Sequence, residues 1–227
     1  MARLIKHVLG IPNGKIGPLM FKIRKGTPYI SMAPIKSTKP KSAKSIETNK
    51  KFGFVSSLAK SLSDDCFINM LWEKTEIKGE TVRHKIISVN LPLVDADRNI
   101  DNIKIVPSDD LFEAVLLNAE TEEDFVRLTF APFDIPQSEL FYPEISANGF
   151  MHLFNPVVEE DAEHCFSHVQ SAGTPYTKGS GHTIIIPVNR SIMSRYNSWK
   201  IHVTLILENL NRAPEKCSGN VNVVLSR

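Results

Sequence analysis

The sequence predicts a mainly β protein in which an N-terminal hairpin and one amphipathic helix precede two immunoglobulin-like antiparallel β-sandwich units. Three observations predict it. Strand-length apolar runs recur from Thr81 to the C-terminus with polar turn clusters between them. Apolar residues at three- and four-residue spacing mark a helix between Ile46 and Leu62. Pro18, Pro28 and Pro34 punctuate the short apolar runs that precede it. The expected organisation is a basic N-terminal arm, hairpin and helix over residues 1–66, a first β-sandwich unit over 67–143 and a second over 144–227.

Lys15 to Ala33 carries two apolar-rich runs around Lys25-Gly26, the pattern of a β-hairpin. Its prolines have no N–H to give to a ladder, so these strands are expected at an edge or paired on one side. Residues 36–45 are Lys, Ser, Thr, Pro and Ala with one Ile-free polar run, an extended linker whose charges repel and whose rings resist compaction. Ile46, Phe52, Val55, Leu58, Ala59 and Leu62 then define the helix, with Ser63-Asp64-Asp65 near its end.

Beyond Cys66 two groups of strands are expected. The first holds Thr81–Leu91, Ile103–Val106, Leu111–Asn118 and Phe125–Phe130, with Ala119–Asp124 as a polar hairpin loop. The second holds Phe150–Phe154, His164–Gln170, Thr183–Val188, Lys200–Glu208 and Asn220–Leu225. Phe133 to Pro143 is the expected joint, and a single larger sandwich is the alternative.

A chain of 227 residues has material for one large or two small domains, and 42% apolar with 23% charged residues excludes wholesale disorder. No stretch reaches the roughly 20 apolar residues of a membrane-spanning helix. The opening Met-Ala-Arg-Leu-Ile-Lys lacks the apolar core of a Sec signal peptide, so the expected location is extracellular or particle-associated by a non-Sec route, or cytoplasmic. Cys66, Cys165 and Cys217 are odd in number and widely spaced, which points to buried thiols and not to a disulfide framework or zinc finger.

Charge is the most informative feature. The net value is +2, yet twelve basic residues and one acid lie up to Lys51, leaving fifteen bases against twenty-four acids beyond it. A cationic segment attached to an anionic body reads as an interaction arm. The residues expected to carry the contact are Lys15, Leu19, Phe21, Lys22, Ile23, Arg24, Lys25, Tyr29, Ile30, Met32, Lys36, Lys39, Lys41 and Lys44.

Gly14-Lys15-x-Gly17, Lys25-Gly26, Pro34, the polar linker and the helix Phe52 to Leu62 resemble the N-terminus of a Bacteroidetes-type domain-of-unknown-function family of secreted or virion-like β proteins. Gly149-Phe150-Met151-His152-Leu153-Phe154-Asn155-Pro156, Thr183 to Pro187 and Trp199 to Leu205 follow that family's strand order, while Asn49 and its neighbours depart from its Gln-rich helix start. The resemblance implies tandem immunoglobulin-like domains behind a basic segment and no particular chemistry.

Catalytic and metal motifs are weak, and no enzyme, cofactor or metal site is predicted. Asp161-x-Glu163-His164-Cys165-x-x-His168 has metal-like spacing only on a helix, whereas a strand splays it. His182 and His202 with Ser180, Ser191 and Ser194 lack a nucleophile elbow. Lys178-Gly179-Ser180-Gly181 is out of register for a phosphate loop, and the acidic clusters Glu120–Asp124 and Glu159–Asp161 lack EF-hand order.

The function expected is that of a self-assembling structural subunit of a filament, sheath or virion-like particle, a homo-oligomer joined by N-terminal strand addition onto the next copy. Nucleic-acid or polyanion binding by the same arm, with Phe21, Tyr29 and Phe52 as stacking surfaces, is the alternative.

Overall fold

The computed structural model describes residues 2–3, 14–24, 26–33, 42–95, 98–107, 111–122, 124–135, 143–208, 214–218 and 221–226. They divide between two compact units, Met1–Ala43 and Lys44–Arg227.

The first unit is a four-stranded antiparallel sheet of β1 (Ala2–Arg3), β2 (Gly14–Ile16), β3 (Leu19–Arg24) and β4 (Thr27–Met32), in the order β1-β4-β3-β2. Gly26, at φ +73°, supplies the left-handed residue that the tight β3–β4 turn requires. The strands of the hairpin are less edge-like than expected. β4 pairs with β3 along its length and with β1 at Tyr29 and Ile30, and β3 pairs with β2 from Leu19 to Phe21. Pro28 lies outside the two residues that β1 pairs with, so its missing N–H interrupts neither of those pairings.

The second unit opens with α1 (Ala43–Ser63), α2 (Cys66–Glu73) and α3 (Val82–Asn90). It continues with β5 (Leu111–Phe112), β6 (Leu116–Thr121), β7 (Phe125–Phe130), β8 (Glu144–Pro156), β9 (His164–Gln170), β10 (Thr174–Pro175) and β11 (His182–Pro187). The one-turn α4 (Arg190–Met193), β12 (Tyr196–Glu208), β13 (Pro214–Ser218) and β14 (Val221–Ser226) complete it. Strands take 41% of the chain and helices 24%, so the protein is mainly β.

Among the described residues four helices stand where one was expected. Thr81–Leu91 is the helix α3 and not a strand. Its β-branched residues fit a strand, but Val82, Ile86 and Val89 also share a helical face, and the Thr81 side chain accepts the His84 N–H as an N-cap. Burial of Ile86 in the helical core decides between the two readings. Ser63-Asp64-Asp65 closes α1 as expected, and Asp65 has a second role. It caps the start of α2, where its carboxylate favours the dipole that it would oppose at the end of α1.

Ile103–Val106 is also not a strand; Ile103, Ile105 and Val106 are buried in an irregular segment. Its backbone is satisfied from the helices. Trp72 Nε1 donates to Ile105 O at 2.8 Å, and Asn90 donates to Lys104 O while accepting from Lys104 N. Leu111–Asn118 divides into β5 and the start of β6, with a bulge between Leu116 and Asn118.

The largest sheet is built on the long pair β8–β12, with β9 and β10 beside β8, β14 and β13 beside β12, and β5 parallel to β13. Against one face lies the three-stranded sheet β11-β7-β6. Ile145, Ala147, Met151 and Leu153 of β8 and Ile201, Val203, Leu205 and Leu207 of β12 meet Val126, Leu128, Phe130, Ile184 and Ile186 there. β7 from before the expected joint pairs with β11 from after it, and β5 with β13, so both segments build the same layers.

The helices cover the other face. Phe54, Val55, Leu58 and Leu62 of α1 and Phe67, Ile68 and Trp72 of α2 pack with Phe150, Ile206 and Cys217 of the sheet. Each such side chain contributes roughly 1.5–3 kcal/mol on full burial. Gly149 permits the close approach of the two central strands: a Cβ there would stand 2.1 Å from His202 O and 2.9 Å from Val203 Cα.

Candidate interaction surface

Strand alternation and register divide the first unit's sheet into two unlike faces. Leu19 lies opposite Met32, Phe21 opposite Ile30 and Ile23 opposite Pro28, and Ile16 pairs with Leu19 on the other side. Directly opposed residues share a face. One face is therefore wholly apolar in these positions. The other carries Lys15, Met20, Lys22, Tyr29 and Ser31.

Much of the apolar face is open, although Pro28 within it is buried and Phe21 and Ile30 are half-buried. Ile16 is 66% exposed, Met32 67%, Ile23 45% and Leu19 37%, against a protein norm in which large aliphatic side chains lie inside. Lys15 and Lys22 are exposed on the opposite face. The structure thus gathers Lys15, Leu19, Phe21, Lys22, Ile23, Tyr29, Ile30 and Met32 on one small sheet, sorted by polarity, and Arg24 ends its strand β3. Lys44 stands on the first turn of α1 in the second unit, and Lys25, Lys36, Lys39 and Lys41 lie outside the described residues.

In the second unit, the residues with metal-like spacing turn to four different partners. Asp161 pairs with Arg195, Glu163 with Arg98 at 2.8 Å, His164 Nδ1 with His152 Nε2 at 2.9 Å, and His168 with Asp65 at 2.9 Å. Within β9 His164 and His168 share a face but stand four residues, about 13 Å, apart along the extended strand, and Asp161 and Glu163 precede it. Among the described residues no group of three His, Cys, Asp or Glu could hold a metal ion.

The remaining motif residues have local structural neighbours. His182 stacks on Tyr176 and lies tilted against Phe133, and burial pulls its pKa below the usual imidazole value. His202 stacks on Phe150 with ring centroids 4.8 Å apart. Ser194 donates to Ser191 O, and Glu122 and Asp124 of the acidic loop pair with Arg127 and Arg190.

Sequence reading missed two features here. The strands β1 and β2 that widen the N-terminal sheet are too short to leave a periodic signal. The histidine pair joins residues twelve apart, which only the β8–β9 register brings together. The alternation Leu19, Phe21, Ile23 against Lys22 and Arg24 was the available sign of the two-faced sheet.

The fold defines a mainly β protein of three sheets, antiparallel except for the short β5–β13 pair, with four helices among the described residues. No helix among them is long and apolar enough to cross a membrane. No family model matches the chain, and no curated protein matches it. Two solved structures of β-glucosidase from Kluyveromyces marxianus are similar in part. The first, in complex with glucose, is 10% identical over 54% of this chain at a TM-score of 0.22. The second, selenomethionine-labelled, is 9% identical over 52% at 0.23. This chain spans 15% of the length of each, and a likeness at such scores carries neither fold nor function.

Proposed function

We propose that the protein is a non-enzymatic structural subunit that assembles with copies of itself through its N-terminal sheet. The observation that carries this reading is the exposed apolar face of Ile16, Leu19, Ile23 and Met32. Burial of that face on a neighbouring copy gives the favourable term, and the edges at β1 and β2 offer backbone groups for strand addition. Lys15 and Lys22 on the reverse side steer the cationic segment toward the anionic remainder of the next chain. A head-to-tail contact of this kind propagates into a filament unless its rotation closes a ring. The resemblance to tandem immunoglobulin-like proteins of virion-like particles is part of the same reading, supported by the sandwich that β6, β7 and β11 make with the large sheet.

The cationic face favours a second reading, polyanion or nucleic-acid binding, in which Tyr29 stacks and Lys15 and Lys22 neutralise phosphates.

Sedimentation and negative-stain microscopy of the full chain, beside Ile16→Asp/Met32→Asp, test the proposal. Ordered assemblies that the double variant loses while its circular dichroism is unchanged are expected. A wild type that remains monomeric at high concentration overturns assembly. Binding to single-stranded DNA that falls steeply between 50 and 200 mM salt, on the order of tenfold or more, would instead favour the second reading.

A further inference from the structure

The second unit contains an open cleft. β9, β8 and β12 lie side by side, and their register sets His152 of β8 directly opposite Lys200 of β12, with His164 of β9 one step along the diagonal. The segment Arg98 to Asp101 closes the fourth side. The cavity between them measures about 280 Å³, with Phe154 and Ile100 as its apolar wall. A second cavity of about 240 Å³, lined by Lys50, Phe54 and Glu163, adjoins it and shares Arg98 and His164.

Basic groups outnumber acids in this space. Lys50, Arg98 and Lys200 face Asp101 and Glu163, and the two imidazoles add hydrogen-bonding nitrogens. His152 is 6% exposed, and its Nδ1 is buried without a hydrogen-bond partner. Its Nε2 shares one hydrogen bond with His164 Nδ1 at 2.9 Å. Arg98 holds a left-handed backbone, φ +60°, which is strained for a residue with a Cβ. Strain, an unsatisfied buried nitrogen and convergent donors around an open cavity are features of ligand sites.

The carboxylates already present indicate the ligand. Arg98 is 19% exposed at its side chain, while its partner Glu163 is 72% exposed, so the guanidinium is fixed in the cleft wall and the carboxylate sits in solvent. Lys200 reaches Asp101 only at 3.5 Å. Glu163 occupies the position of an exchangeable anion on Arg98. We infer that the cleft binds a small organic anion, whose carboxylate or phosphate replaces Glu163 on Arg98 and whose apolar body rests on Phe154 and Ile100. A guanidinium presents the paired donors that both oxyanions accept. Burial, with Arg98 as a nearby cation, lowers the His164 pKa, and an anion would relieve that repulsion.

Phenyl phosphate and benzoate, with inorganic phosphate and benzyl alcohol as the half-ligands, are titrated into the full chain and followed by the His152 and His164 imidazole resonances. The two complete probes are expected to bind at least tenfold more tightly than either half, and their ratio tells phosphate from carboxylate preference. Arg98→Gln should weaken binding tenfold or more. Glu163→Gln should strengthen it severalfold by removing the resident competitor, and this exposed position carries little risk to folding. Failure of every probe to shift either histidine at 20 mM overturns the proposal. Binding that Glu163→Gln leaves unchanged or weakens also overturns it.

Discussion

Asp65 and His168 are 103 residues apart in the chain and 2.9 Å apart in the fold. The carboxylate is fully buried and divides its work. One oxygen accepts the Phe67 and Ile68 N–H groups as the cap of α2, and the other faces His168 Nε2 on β9. A single side chain thereby starts a helix and fixes it to the sheet.

Replacing Asp65 with Ala removes the cap and leaves two buried N–H groups without their acceptor. A loss of about 1–2 kcal/mol is expected from the cap alone, read as a lower urea midpoint, with faster amide exchange at Phe67 and Ile68. Asp65→Asn keeps an acceptor for the cap and should avoid most of the loss seen with Ala.

Gly149→Ala addresses the β8–β12 pairing. The added methyl meets backbone atoms of His202 and Val203, which cannot move aside as a side-chain end would. Destabilisation of about 3 kcal/mol or failure to fold is expected, at the upper end of overpacking costs. A variant that melts with the wild type would contradict this packing.

Trp72→Phe keeps the ring in the helical core but deletes the donor to Ile105 O. The buried carbonyl then lacks its partner, which costs about 1–3 kcal/mol. Trp72→Phe should lower the urea midpoint, whereas Met70→Leu, on the half-exposed side of the same helix, should leave it nearly unchanged.

Acid should unfold the second unit through His152. Burial first, then repulsion by His164, His202 and Lys200, pulls its pKa from 6.5 to about 3. Phe54 of α1 and Phe166 of β9 contribute only apolar surface around it, while Arg98 and Asp101 share its cleft. The unfolded chain binds this proton below about pH 6.5 and the folded chain does not, so the contribution is complete above that value and falls as pH drops toward 3. Roughly 3 kcal/mol is lost by pH 4. Urea midpoints at pH 7.5, 5.5 and 4 should decline in that order, and His152→Phe should flatten the trend. An equal slope in the variant would assign acid sensitivity elsewhere.

Strands announced themselves where one face is buried and the other is not. Phe125–Phe130 has the bounds that alternation gives, with Val126, Leu128 and Phe130 buried. The helical layer was less legible because its segments are short and β-branched. Thr81–Leu91 satisfies both periods, and only contact with Leu58, Trp72 and their neighbours selects the helix. Ile103–Val106 shows the same limit, since burial makes a segment apolar whether or not it pairs. At the N-terminal sheet the apolar alternation was plain. At the cleft nothing was, because Arg98, His152, His164 and Lys200 come from four separated stretches that only strand register and one crossing loop unite.

The two sides of β8 and β12 differ in kind as well as direction. Toward the three-stranded sheet they present mainly apolar side chains. Toward the helices they also carry Ser146, hydrogen-bonded to Glu208, and Asn148, which donates to Ser146 Oγ at 2.8 Å. A ladder closed one residue out would turn these polar groups into the greasy layer and strip Phe150 and Ile206 from beneath α1 and α2. Misalignment is penalised by both neighbours at once, so the long central pair tolerates a single alignment.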